Sequence, residues 1–102
     1  MKLIEEVEVN YMDKKFLPLG SLVMLKEAKR PVVIIGYTIV EEGNKKIWDY
    51  LGCAYPFGVI DPHKNLLFQR NQIDKVLHTG YIDEEGNNFL NQLLESVSEI
   101  QS

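Results

Sequence analysis

PVVIIGYTIVEEGNKKIWDYLGCAY, residues 31–55, places two runs rich in valine, isoleucine and aromatic residues on either side of a polar loop, Glu41-Glu42-Gly43-Asn44-Lys45. β-branched and aromatic side chains suit a pleated, buried surface, and a loop of that length containing glycine joins antiparallel strands. The stretch is therefore a hairpin, with strands over PVVIIGYTIV and KIWDYLGCAY. Pro31 is tolerated at the first position of its strand, where a missing N–H costs little.

Working outward, SLVMLKE at 21–27 reads as an earlier strand, connected through Lys29-Arg30. Before it, Phe16-Leu17-Pro18-Leu19-Gly20 breaks any helix: Pro18 disfavours helical geometry at Leu17, and Gly20 permits a tight turn. After the hairpin, Pro56 and Gly58 end the strand. Asp61-Pro62 suits a turn that leaves His63 at an exposed corner. LLFQR is a fourth strand, Asn71–Asp74 a single helical turn capped by Asn71, and KVLHT a fifth strand.

Beyond Gly80-Tyr81 the period changes. Phe89, Leu90, Leu93, Leu94, Val97 and Ile100 fall on one stripe of an amphipathic helix, with Asp83, Glu84 and Glu85 in its first turn, where negative charge complements the helix dipole. Gly86 weakens that turn, so the start can slip toward Asn87.

The expected fold is mainly β of the α+β kind: a small five-stranded antiparallel SH3-like barrel or curved sheet with a C-terminal helix. A plain meander packed on one helix is the alternative. The chain divides into an N-terminal arm at 1–16, a β-rich core at 17–81 and the helix at 82–102, all within one domain. Residues 3–12 fit both a helix and a strand. Leu3, Ile4, Val7 and Tyr11 share a helical face, while Val7, Val9 and Tyr11 alternate with polar neighbours.

In 102 residues, 45% are hydrophobic and 25% charged, the balance of a globular protein. A net charge of −4 repels phosphate backbones and anionic lipids, which argues against nucleic-acid and membrane-surface roles. The single cysteine excludes an internal disulfide and points to a reducing compartment, the cytoplasm. Glu5, Glu6 and Glu8 interrupt any signal-peptide core, and no apolar run approaches the ~20 residues of a membrane span.

The chemical inventory is plain. Cys53 and His63 could pair as nucleophile and base, but Cys53 alternates with Leu51 and Tyr55, so a small buried hydrophobe is the better account. His78 has no second ligand at a metal-binding spacing. Asp49, between Trp48 and Tyr50, is the one carboxylate whose surroundings could suit proton transfer. It lacks a partner acid, and a hydrogen bond to a turn or a place on an exposed strand face is the better account. The glycines are scattered, so no phosphate-cradling loop exists. Lys26, Lys29 and Arg30 form a basic loop tip. Trp48, Tyr50, Tyr55, Phe57 and Tyr81 either fill the core or line a peptide-binding groove.

LPLGSLVMLKEAKRPVVIIGY, WDYLGCAYPFG and NQIDKVLHTGYIDEEGNNFL together resemble a family of small uncharacterised Gram-positive proteins associated with type VII secretion loci. The matching motifs are Leu17, Pro18, Gly20 and Ser21; Gly36 and Tyr37; Asp49, Tyr50, Tyr55, Pro56 and Gly58; and Gly80, Tyr81, Asp83 and Glu84. Glu27-Ala28 stands where the family pattern has a glycine-rich turn, and Gln69–Gln72 where it is more acidic. The resemblance covers residues 17 to about 90.

It implies a non-catalytic cytosolic accessory protein with no cofactor and no metal. Its partner would be a type VII secreted toxin, bound through the trafficking region as an adaptor or chaperone would bind it, or another secretion accessory protein. An immunity protein that neutralises a toxin domain is the alternative, and a small SH3-like enzyme or nucleic-acid binder a third. The expected partner-binding residues are Trp48, Asp49, Tyr50, Tyr55, Phe57, Tyr81, Phe89 and Leu93.

Overall fold

A computed structural model describes residues 15–40, 43 and 45–101, with side chains to Val97. The question of helix or strand at 3–12 lies outside the described residues. Among the described residues five strands follow one another, β1 (Leu22–Leu25), β2 (Val32–Val40), β3 (Ile47–Ala54), β4 (Leu66–Phe68) and β5 (Ile73–His78), and then α1 (Glu84–Gln101). All strand pairs are antiparallel and the sheet order is β4-β3-β2-β1-β5.

The curved-sheet form of the expected fold is therefore the one adopted, and the sheet does not close, because β4 and β5 remain as its two edges. Those edges are nevertheless consecutive in the chain. From Phe68 to Ile73 an extended backbone reaches at most about 17 Å, and Arg70–Gln72 spend part of that length in a 3₁₀ turn. Four strand spacings in a flat sheet amount to about 19 Å. The sheet has to curl, and its concave side encloses the core.

Bulges assist the curl. In β2, Ile34 pairs with Gly52 and Gly36 with Leu51, which leaves Ile35 as an extra residue. The insertion moves the inward positions from Val32 and Ile34 to Tyr37, which explains why this run is apolar without alternation. Gly52 is required here by space, since a Cβ would lie 2.4 Å from Val32 Cγ1 and 2.9 Å from Phe68 Cε1.

The core contains Phe16, Val23, Val32, Ile34, Tyr50, Phe68, Leu90 and Val97, with Leu93 and Leu94 packed against it. Leu90, Leu93, Leu94 and Val97 are spaced to share one helical face, so α1 lays its apolar stripe on the sheet. The helix begins at Glu84, where Asp83 Oδ1 accepts from the Gly86 N–H at 2.9 Å. It does not slip to Asn87. The 3₁₀ turn before β5 spans Arg70–Gln72 and is capped by Gln69, not Asn71, because the Gln69 and Gln72 side chains cap each other's backbone. At the turn after β1, Glu27 occupies the left-handed region with φ 63°.

Two tyrosines hold the chain entering the sheet. The Leu17 N–H donates to Tyr50 Oη at 2.9 Å, and Tyr37 Oη donates to the Leu17 carbonyl at 2.6 Å. Burial pushes the Tyr37 phenol up to about 12, and burial likewise raises Tyr50. An unfolded tyrosine ionises near 10, so the unfolded state releases these protons first. Stability from the neutral phenols is complete below pH 10 and declines as pH rises toward 12. We expect the urea midpoint to be level at neutral pH and to fall across that alkaline window, with Tyr37→Phe showing a shallower decline. An equal slope in the variant would contradict this.

Candidate functional site: an apolar groove beside the helix start

The groove arises from one close backbone crossing. Gly20, at φ 86°, turns the chain so that its N–H reaches the Ile34 carbonyl at 2.8 Å, while the Ser21 N–H returns to the Pro18 carbonyl at 3.2 Å. The chain leaving β5 then passes over this turn, and the Gly80 N–H donates to Ser21 Oγ at 3.0 Å. A Cβ on Gly80 would stand 2.1 Å from the Leu19 carbonyl oxygen, so no other residue allows this approach. The crossing sets Tyr81 and Ile82 against Leu19, immediately before the Asp83 cap.

The result is a groove of about 200 Å³ lined by Pro18, Leu19, Tyr37, Tyr81, Ile82, Phe89 and Leu90. Its walls remain in solvent: Leu19 is 54% exposed, Tyr81 83%, Ile82 40% and Phe89 50%. Phe89 leans on Tyr37, ring centroids 6.0 Å apart. Asp83 also lines the groove, and Glu84 and Glu85 follow it, exposed, in the first turn of α1. Scattered exposed apolar residues are ordinary, whereas a contiguous set around a groove marks a binding surface.

Tyr81 and Phe89 are thus brought together, and the other expected partner-binding residues are not. Tyr50 is wholly enclosed, and Leu93 is half-buried against the core. Trp48 is half-buried, with Lys46 Nζ 4.1 Å from its ring centroid. Tyr55 and Phe57 are exposed in the β3–β4 loop, where the Arg30 guanidinium lies 5.1 Å from the Phe57 ring. Leu19 and Ile82 complete the groove and were not singled out by the sequence. The signal available was a large apolar residue inside a proline-glycine turn, which such a turn cannot bury.

Asp49 is interior and structural. Its Oδ2 accepts from the Arg70 backbone N–H at 2.8 Å and from Arg70 Nε at 3.1 Å, while its own N–H donates to Gln69 Oε1 at 3.1 Å. Both side chains of the ion pair are at most 2% exposed. Arg70 also stacks over Phe16, 4.6 Å from the ring centroid. The carboxylate is held by a cation and a turn, with substrate access blocked by burial. Cys53 is buried beside the core, and His63 and His78 are exposed. Among the described residues no three His, Cys, Asp or Glu side chains gather as a metal site. No helix among them is long and apolar enough to cross a membrane.

No curated protein and no solved structure matches the chain. From Phe16, the first core side chain among the described residues, to Phe89, the outer wall of the groove, residues 16–89 match the model of a family described as a domain of unknown function, DUF4176, and the chain belongs to that family.

Proposed function

We propose that this protein is a non-catalytic binding module that docks a helical segment of a protein partner in the groove between Leu19, Tyr81, Ile82 and Phe89. The observation that supports it is the groove itself: four exposed apolar side chains around one cleft with Asp83 at one end. An amphipathic helix lays its apolar face in such a cleft, and a basic residue flanking that face would meet Asp83. The resemblance to type VII-associated proteins suggests the partner, the trafficking region of a secreted toxin bound in the cytoplasm of the producing Gram-positive cell, with this chain as adaptor or chaperone.

The test is capture by the tagged, full-length protein of a toxin encoded beside it, supplied as separate N-terminal and C-terminal halves. The N-terminal half should be retained. Retention of the C-terminal half alone would replace the adaptor role with an immunity role, and retention of neither would overturn both. Deleting α1 is not a usable variant, because Leu90 and Val97 are core side chains. Phe89→Asp, on the exposed wall, is expected to cut capture by tenfold or more, about 1.4 kcal/mol, with the thermal midpoint little changed.

A further inference from the structure

The fold gives no reason for the glycine at position 86. It lies in the first turn of α1, where glycine weakens a helix relative to alanine. Its φ is outside the positive range that Gly20, Gly43 and Gly58 occupy, so no left-handed turn requires it. Space does not require it either, because a Cβ would meet Asp83 Oδ1 at 3.4 Å and Ile82 Cδ1 at 3.5 Å, ordinary contact distances. The cap at Asp83 would persist, since it takes the backbone N–H of residue 86. What a Cβ would enter is the groove. Gly86 lines it, and so do both residues that the Cβ would touch. Tyr37 and Gly86 are half-buried and Leu90 is buried, so these three belong to the floor of the groove, beneath the exposed Ile82 and Phe89.

We infer that Gly86 sets the depth of the groove, so that one large apolar side chain of the docked helix, a leucine, methionine or phenylalanine, reaches down between Ile82 and Phe89 to Tyr37 and Leu90. The inference rests on the cleft being the docking groove of the proposed function, and it names what the partner must place there. Helices pack by seating a side chain of one in a gap between side chains of the other. Gly86, Phe89 and Leu90 are spaced three and four apart and therefore border one such gap on α1, which the missing Cβ deepens. The groove, at about 200 Å³, exceeds the apolar cavity of about 150 Å³ that accommodates a benzene ring. A leucine-sized or aromatic group fits it, whereas an alanine on the partner would leave it part empty. The position thus selects partners by the size of a single side chain, and the helix gives up some stability to do so.

Isothermal titration of the toxin's N-terminal half into the full chain and into Gly86→Ala, Gly86→Leu and Asn87→Leu tests this. Gly86→Ala should keep or raise the thermal midpoint while weakening binding about tenfold. Gly86→Leu should abolish binding in a protein that still unfolds cooperatively. Asn87→Leu, exposed in the same turn but outside the groove, should bind as the wild type does. Alanine substitution along the apolar face of the toxin helix should find one large side chain whose loss costs the wild-type complex about tenfold or more and the Gly86→Ala complex less. Undiminished binding by Gly86→Ala and Gly86→Leu would overturn the inference. So would an equal loss in Asn87→Leu, which would trace the effect to the helix and not to the groove. If Phe89→Asp abolishes binding while Gly86→Leu retains it, the depth-setting role alone falls and the docking role stands. No binding by the wild-type protein would overturn both.

Discussion

Gly80→Ala is expected to lower the unfolding free energy by about 3 kcal/mol or more, an effect large for the addition of one methyl group. The added carbon would lie 2.1 Å from the Leu19 carbonyl oxygen and 3.0 Å from its carbon. Neither atom can retreat cheaply, because the turn is fixed on both sides: Gly20 donates to the Ile34 carbonyl, and the Ile34 N–H donates back to the Ser21 carbonyl at 2.9 Å. The strand exit must move instead. That breaks the bond from Gly80 to the wholly buried Ser21 hydroxyl, and an orphaned buried polar group costs about 1–3 kcal/mol on its own. The same displacement shifts Tyr81 and Ile82, so partner capture should fall in parallel. Gly86→Ala serves as the contrast. Its Cβ meets only ordinary contacts at 3.4 Å and beyond, and within a helix alanine is favoured by up to about 1 kcal/mol. Chemical denaturation of both variants decides the matter, and a loss below about 1 kcal/mol for Gly80→Ala would show that the crossing is looser than described.

Arg70→Met should cost about 3–5 kcal/mol, the range for removing one partner of a buried ion pair. Methionine retains much of the volume over Phe16 but leaves the Asp49 carboxylate enclosed without its cation. Half of the Asp49 contact is to the Arg70 backbone N–H, which survives the substitution. The double variant Asp49→Asn, Arg70→Met keeps an acceptor for that N–H and removes the stranded charge, so it should be more stable than Arg70→Met alone. Equilibrium unfolding of the two single variants and the double variant gives the coupling. Equal stability of the double and Arg70→Met variants would contradict the account. The pair matters for shape as well as stability, because it ties β3 to the turn that joins the two sheet edges and so fixes the curl.

The number and chain order of the strands were legible because β1, β2 and β4 are largely apolar runs bounded by proline, glycine or charge. β3 and β5, though interrupted by charged residues, keep a high content of β-branched, aromatic or leucine side chains. The helix was legible because its apolar positions recur every three to four residues. Other features left weaker traces. The bulge at Ile35 is invisible in VVIIGY, since a run without alternation reads the same in either register. Gln69-Arg70 reads as the end of the fourth strand LLFQR, with no sign that Arg70 is interior, because its partner Asp49 lies 21 positions earlier and meets it only once the sheet curls. Tyr50 and Tyr81 look alike in sequence. One hydrogen-bonds the Leu17 backbone inside the core and the other stands on the rim of the groove, a distinction set by strand pairing and the crossing at Gly80. The groove itself draws on two turns about sixty residues apart, Pro18–Gly20 and Gly80–Ile82, so neither segment alone could announce it.

The central claim, that the cleft between Leu19 and Phe89 is where this protein docks its partner, is tested most directly by isothermal titration of the toxin's N-terminal half into the wild-type protein and into Leu19→Asp with Phe89→Asp. Saturable binding to the wild type that is lost in the variant, with both proteins showing the same thermal midpoint, is the result the account predicts. Equal affinity for the two would contradict it and move the docking surface elsewhere on the molecule.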